Sequence, residues 1–80
     1  MGYEKHDLER RLREIEIEMR HQQYLTTSAR AYLERVEPLS EDYENAIALL
    51  DNAFQACNRL LCERLAVVHR LEDLKMQEVN

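Results

Sequence analysis

Glu37-Pro38-Leu39-Ser40-Glu41-Asp42 is the only strong punctuation in the chain, and its reading decides the fold. Pro38 lacks a backbone N–H and pushes Glu37 out of helical geometry. Ser40 carries the hydroxyl of a good N-cap, and Glu41 and Asp42 then fall where the helix dipole favours anions. Tyr43 stands where a complete capping box has Glu or Gln. One helix ends at this point and another begins, and a link of about four residues favours antiparallel neighbours. The expected architecture is all-α: a single helical-hairpin domain over residues 1–80, with a helix over about 3–36, a turn over 37–40 and a helix over 41–75.

Upstream of the break, Leu8, Leu12, Ile15, Met19, Gln22, Thr26, Ala29, Leu33 and Val36 alternate in steps of four and three. That is an unbroken heptad stripe, and its middle is small and polar. Ile17, Tyr24 and Ala31 lie off it, with Leu25 and Tyr32 beside them. Downstream, Tyr43, Ile47, Leu50, Phe54, Cys57, Leu61, Val68 and Leu71 form a main stripe that Arg64 interrupts. Beside it runs a strict seven-residue repeat of Ala46, Ala53, Leu60, Val67 and Leu74. Together the two lines make an apolar face wider than one partner helix requires.

The main stripe is expected to meet the first helix. Leu60, Ala53 and Val67 lie about 100° around the axis from Leu61, Phe54 and Val68, so one helix does not cover both lines. The uncovered surface is expected to bind another chain, since apolar patches of this extent mark interfaces. The binding residues expected are Tyr24, Tyr32, Leu50, Ala53, Phe54, Leu60, Leu61 and Val67. On this reading Leu60→Glu abolishes association and spares the helices, whereas Leu12→Glu unfolds the hairpin. The partner is another helical protein, or a second copy completing a four-helix bundle.

Composition narrows the function. Eighty residues make one domain near the limit of independent stability. The net charge is -5, and the residues after Glu37 carry 4 basic and 8 acidic groups, which argues against a nucleic-acid surface there. Arg10, Arg11 and Arg13 form the one basic cluster. With Asp7–Arg11, Glu9–Arg13 and Glu16–Arg20 at i,i+4 spacing, it reads as a solvated helix face. No apolar run approaches the ~18 residues of a membrane span, and the charged N-terminus lacks secretory character, so a cytoplasmic location is expected. Cys57 and Cys62 are five apart on one helix, which rules out a bridge between them, and they read as free thiols.

No catalytic, cofactor or metal site is expected. His6, His21 and His69 have no nucleophile partner or zinc-ligand spacing. No Glu-x-x-His motif supports a di-metal bundle, and Gly2 is the only glycine, so there is no phosphate loop. Arg64 reads as a snorkelling side chain on an apolar stripe.

The stretch Asp42-Tyr43-Glu44-Asn45-Ala46-Ile47-Ala48-Leu49-Leu50-Asp51-Asn52-Ala53-Phe54-Gln55-Ala56-Cys57-Asn58-Arg59-Leu60-Leu61 resembles the small co-chaperones of type III secretion needle subunits, the YscE/SsaE-like group. A tyrosine in a polar stretch opens the second helix in that group, and Tyr43, Leu50, Phe54 and Leu61 match its apolar positions. The resemblance implies a cytoplasmic hairpin that binds a helical-repeat chaperone, the pair holding a needle subunit unpolymerised. The long charged first helix is more heptad-like than the group's.

Overall fold

The computed structural model describes residues 2–79, and among them there are two helices and no strand. α1 spans Gly2–Leu33 and α2 spans Glu41–Val79. They pack side by side as a helical hairpin 61 Å long and 15 × 14 Å across. α1 ends three residues earlier than the periodicity implies. Glu34 N–H still bonds Arg30 C=O at 3.3 Å, but Arg35 N–H bonds Tyr32 C=O, a tighter i−3 pattern in which the helix unwinds. α2 continues beyond residue 75, since nothing in its polar last turns stops it.

Ser40 is the N-cap of α2. Its Oγ accepts a hydrogen bond from Tyr43 N–H at 3.1 Å and donates one to Glu37 C=O at 2.8 Å. Its carbonyl accepts the first helical bond, from Glu44 N–H. Glu41, Asp42 and Glu44 occupy the first turn, where they complement the dipole. Leu39 has φ 69°, a left-handed conformation unusual for a residue with a Cβ, and its side chain stands in solvent. The reversal between Pro38 and Ser40 forces it there.

The α1 stripe is the seam that its heptads mark. Ile15 and Ala29 are buried, and Leu8, Leu12, Met19, Gln22, Thr26, Leu33 and Val36 are half-buried. Thr26 satisfies its hydroxyl locally by donating to Gln22 C=O at 2.9 Å.

On α2 the expectation is reversed. The buried line is Ala46, Ala53, Leu60 and Val67, with Ala53 only 2% and Leu60 8% exposed. Ile15, Leu60 and Val67 form the core cluster, and Leu8, Leu12, Met19 and Leu71 pack against it. Phe54 and Leu61, on the stripe expected to face α1, are 42% and 47% exposed. Leu60, Ala53 and Val67 therefore hold the hairpin together and are not its outer surface.

Two features of the partner helix select this rotation of α2. Toward the turn, the seam between the two helices is built from the small Ala46 and Ala53 of α2 and from Gln22, Thr26 and Ala29 of α1. Ile47 or Phe54 there would hold them apart. Away from the turn, the rotation brings charges into register. Arg11 donates to both carboxylate oxygens of Glu63, at 2.6 and 2.7 Å, and Arg70 donates to both of Glu4, at 2.7 and 3.2 Å. From Glu4 to Arg11 α1 advances two turns while α2 retreats two turns from Arg70 to Glu63, which fixes the antiparallel register. Arg11 is thus an interhelical group and not part of a solvated face, and the ion pair Asp7 forms is with Arg10, at i,i+3.

Candidate protein-docking surface

The apolar residues that α1 leaves uncovered follow α2 along one side. Ile47, Phe54 and Leu61 repeat at seven residues and are exposed, and Val68 continues the line half-buried. Leu50 and Cys57 sit between them, half-buried at positions shared with the hairpin seam, and Leu65 is the most exposed large apolar residue of the stretch. From Ile47 to Val68 the line runs about 32 Å at 1.5 Å per residue. A hollow toward its C-terminal end is walled by Leu61, Arg64, Leu65 and Val68.

The two flanks of α2 differ in chemistry. Phe54 and Glu63 are nine residues apart, half a turn around the helix, so the apolar line and the Arg11–Glu63 bridge face opposite ways. On the Glu63 side, Arg11 also reaches Glu14 at 3.2 Å and Glu18 at 3.4 Å. Its guanidinium holds the Glu63 carboxyl below the ordinary carboxylate range, and Arg70 does the same for Glu4. On the Phe54 side α1 contributes the guanidinium of Arg30, stacked 5.6 Å from the Phe54 ring centroid. That flank carries one interhelical ion pair among the described residues, the longer and exposed Lys5–Glu78 contact at 3.9 Å near the open end of the hairpin.

The residues expected to bind a partner are divided among four places. Leu50, Phe54 and Leu61 lie on the outward line, whereas Ala53, Leu60 and Val67 lie in the seam. Tyr32 borders a separate hollow near the turn, together with Ala29, Asp42, Asn45, Ala46 and Leu49. Tyr24 is exposed on the back of α1, nine residues and half a turn from buried Ile15, and Ile17 shares that back face. Ile47, Leu65 and Val68 belong to the outward line and were not expected there. The signal was present, because Ile47 and Val68 repeat with Phe54 and Leu61 at seven residues.

Cys57 and Cys62 are free thiols, half-buried and exposed respectively. His6, His21 and His69 are exposed. Among the described residues no three or more His, Cys, Asp or Glu are grouped to hold a metal ion, and no helix is long and apolar enough to cross a membrane.

The accessible surface of the chain is 6520 Å². A compact monomer of 9.6 kDa exposes about 5,100 Å². The difference, roughly 1,400 Å², reflects the elongated shape of the hairpin, 61 Å by 15 × 14 Å. Comparison with protein-family models, with curated proteins and with solved structures gives no match for this chain.

Proposed function

We propose that this chain is a protein-binding helical module and not an enzyme, and that the outward line of α2 receives a helix from another chain. The observation that carries this is the continuous apolar exposure from Ile47 to Val68 on the side of α2 that α1 does not cover. Its heptad spacing is that of a helix-packing seam, with anchors at Ile47, Leu50, Phe54, Cys57 and Leu61. Arg30 on one edge and Arg64 on the line itself give a polar rim to an apolar centre, the anatomy of a protein interface.

The specific role proposed is that of a cytoplasmic co-chaperone which pairs with a helical chaperone to keep a type III secretion needle subunit unpolymerised. The resemblance through Asp42–Leu61 supports it. Of the residues matching that group's apolar positions, Leu50, Phe54 and Leu61 lie on the outward line, and Tyr43 is half-buried at the start of α2.

The test is a photo-crosslinking amino acid placed at position 61 in the intact chain, expressed in its native cell, with position 24 on the back of α1 as the control. The expected outcome is a defined adduct from position 61, identified by mass spectrometry as a helical chaperone, a needle subunit or a second copy of the chain. Adducts only from position 24, or none from either, would overturn the docking surface.

A further inference from the structure

We infer that the hairpin is two cooperative units in series: a clasp of residues 4–19 and 60–78 that holds, and a turn half of residues 22–56 that opens from it. The packing of the two halves is unequal. Every large side chain that is fully buried lies in the clasp, where Ile15, Leu60 and Val67 meet and Leu8, Leu12, Met19 and Leu71 pack on them. In the turn half the buried residues among those described are alanines alone, Ala29, Ala46 and Ala53. An alanine gives one methyl to the seam, so unpacking it returns little apolar surface to water. Leu25, Leu33, Val36, Tyr43 and Leu50 stay half in water there.

The polar contacts divide the same way. The three interhelical ion pairs among the described residues, Arg11–Glu63, Arg70–Glu4 and Lys5–Glu78, all belong to the clasp. In the turn half the side-chain hydrogen bonds of the helices stay within one helix, Thr26 to Gln22 C=O and Gln55 to Asp51. Among the described residues only the exposed stack of Arg30 on Phe54 crosses from helix to helix there. A hollow bordered by Tyr32 and Leu49 thins the contact further. The connection adds strain, because Leu39 holds φ 69° with a Cβ. Helices keep their form in water chiefly through packing, so the two turn-half segments melt as they part. Chain ends ordinarily fray first, whereas here the ends are clasped and the middle of the chain is loose. The boundary crosses the outward line of α2: Ile47 and Phe54 ride on the half that opens, Leu61 and Val68 on the half that holds.

The experiment is amide hydrogen exchange of the full chain in dilute buffer, read by mass spectrometry of peptic fragments and corrected for intrinsic rates. Exchange in 22–33 and 43–56 is expected to run about tenfold or more faster than in 8–19 and 60–71, because a sub-global opening costs less than global unfolding. Uniform protection along both helices, or the greatest protection beside the turn, overturns the inference. Leu71→Ala then distinguishes two units from one. It trims a side chain packed on the core cluster and is expected to speed exchange in 8–19 and 60–71 by about tenfold. Segments 22–33 and 43–56 should keep their rates, since position 71 stays packed when the turn half opens. Equal acceleration in all four segments would show a single cooperative unit and also overturns the inference. If the variant does not fold, the profile of the unsubstituted chain decides alone.

Discussion

Two lines of side chains run along α2 one residue apart. Ala46, Ala53, Leu60 and Val67 are buried, while Ile47, Phe54 and Leu61 are each more than two-fifths exposed. Both repeat at seven residues, both are apolar, and both border the shared positions Tyr43, Leu50, Cys57 and Leu71. The difference between them is which partner they meet. The inner line meets α1 in a stretch that is small near the turn and large away from it, and its flank carries the two bidentate Arg–Glu pairs. The outer line meets only the stacked guanidinium of Arg30. A helix with two adjacent heptad lines is therefore half of two interfaces, and neighbouring residues have opposite duties.

Charge placed on neighbouring residues breaks this comparison most sharply. Leu60→Glu puts a carboxylate into the core cluster with Ile15 and Val67. An unpaired buried charge costs several kcal/mol, against a total stability of roughly 4–12 kcal/mol for a chain of this size. Far-UV circular dichroism should show loss of most of the helix. Leu61→Glu should retain the helical signal and lose association instead. Equal unfolding by both would mean that the outer line is also core.

Size probes the same pair of lines. Ala53→Leu should overpack the seam, where Ala53 is fully enclosed, and destabilise by about 1–3 kcal/mol. Phe54→Ala in dilute solution, where the chain is unpartnered, should cost no more than about 0.5 kcal/mol. Urea denaturation of the two variants separates these outcomes, and a larger loss for Phe54→Ala would invert the assignment.

Ser40 sets where α2 starts and hence which way its lines point. Ser40→Ala removes the acceptor for Tyr43 N–H and should cost about 1 kcal/mol, visible as a lowered thermal midpoint without loss of the folded baseline. The smallest effect expected is that of pH on the covered flank. Glu4 and Glu63 ionise below the ordinary carboxylate value because Arg70 and Arg11 stabilise their charged forms. Their contribution is complete above the unfolded-state value of about 4.3 and is lost as pH falls through the lower folded values. The Arg70–Glu4 pair is exposed and the Arg11–Glu63 pair only part-buried, so solvent screens both and the slope is shallow. Arg11→Gln should flatten the Glu63 part of it in stability measured between pH 3 and 7, and an unchanged slope would show that the bridge contributes nothing.

Much of this was legible in residue order. The stripe of α1 from Leu8 to Val36 faces inward as its three-four spacing implies, because α1 has one apolar line and polar residues around it. Ser40 caps α2 because Pro38 and the acidic turn leave it no other local role. The partner of Arg11 was not legible. Asp7 and Glu63 offer the same charge, and only the packed register brings Glu63 within reach. Tyr24 and Tyr32, candidate anchors by residue type alone, both sit on α1, and neither joins the outward line of α2.

The sequence by itself determined two long helices, the break at Pro38, the cap at Ser40 and the positions of α2 that both seams share. These follow from local rules of backbone geometry, capping and periodicity, which act within a few turns of chain. Only the tertiary structure decided the rotation of α2 that buries Leu60 and exposes Leu61. Apolar periodicity is equally satisfied by either line, and the choice falls to the fit of Ala46 and Ala53 against a thin stretch of α1 and to the meeting of Arg11 with Glu63 and Glu4 with Arg70. Those contacts join residues more than fifty positions apart, beyond the range of any local pattern.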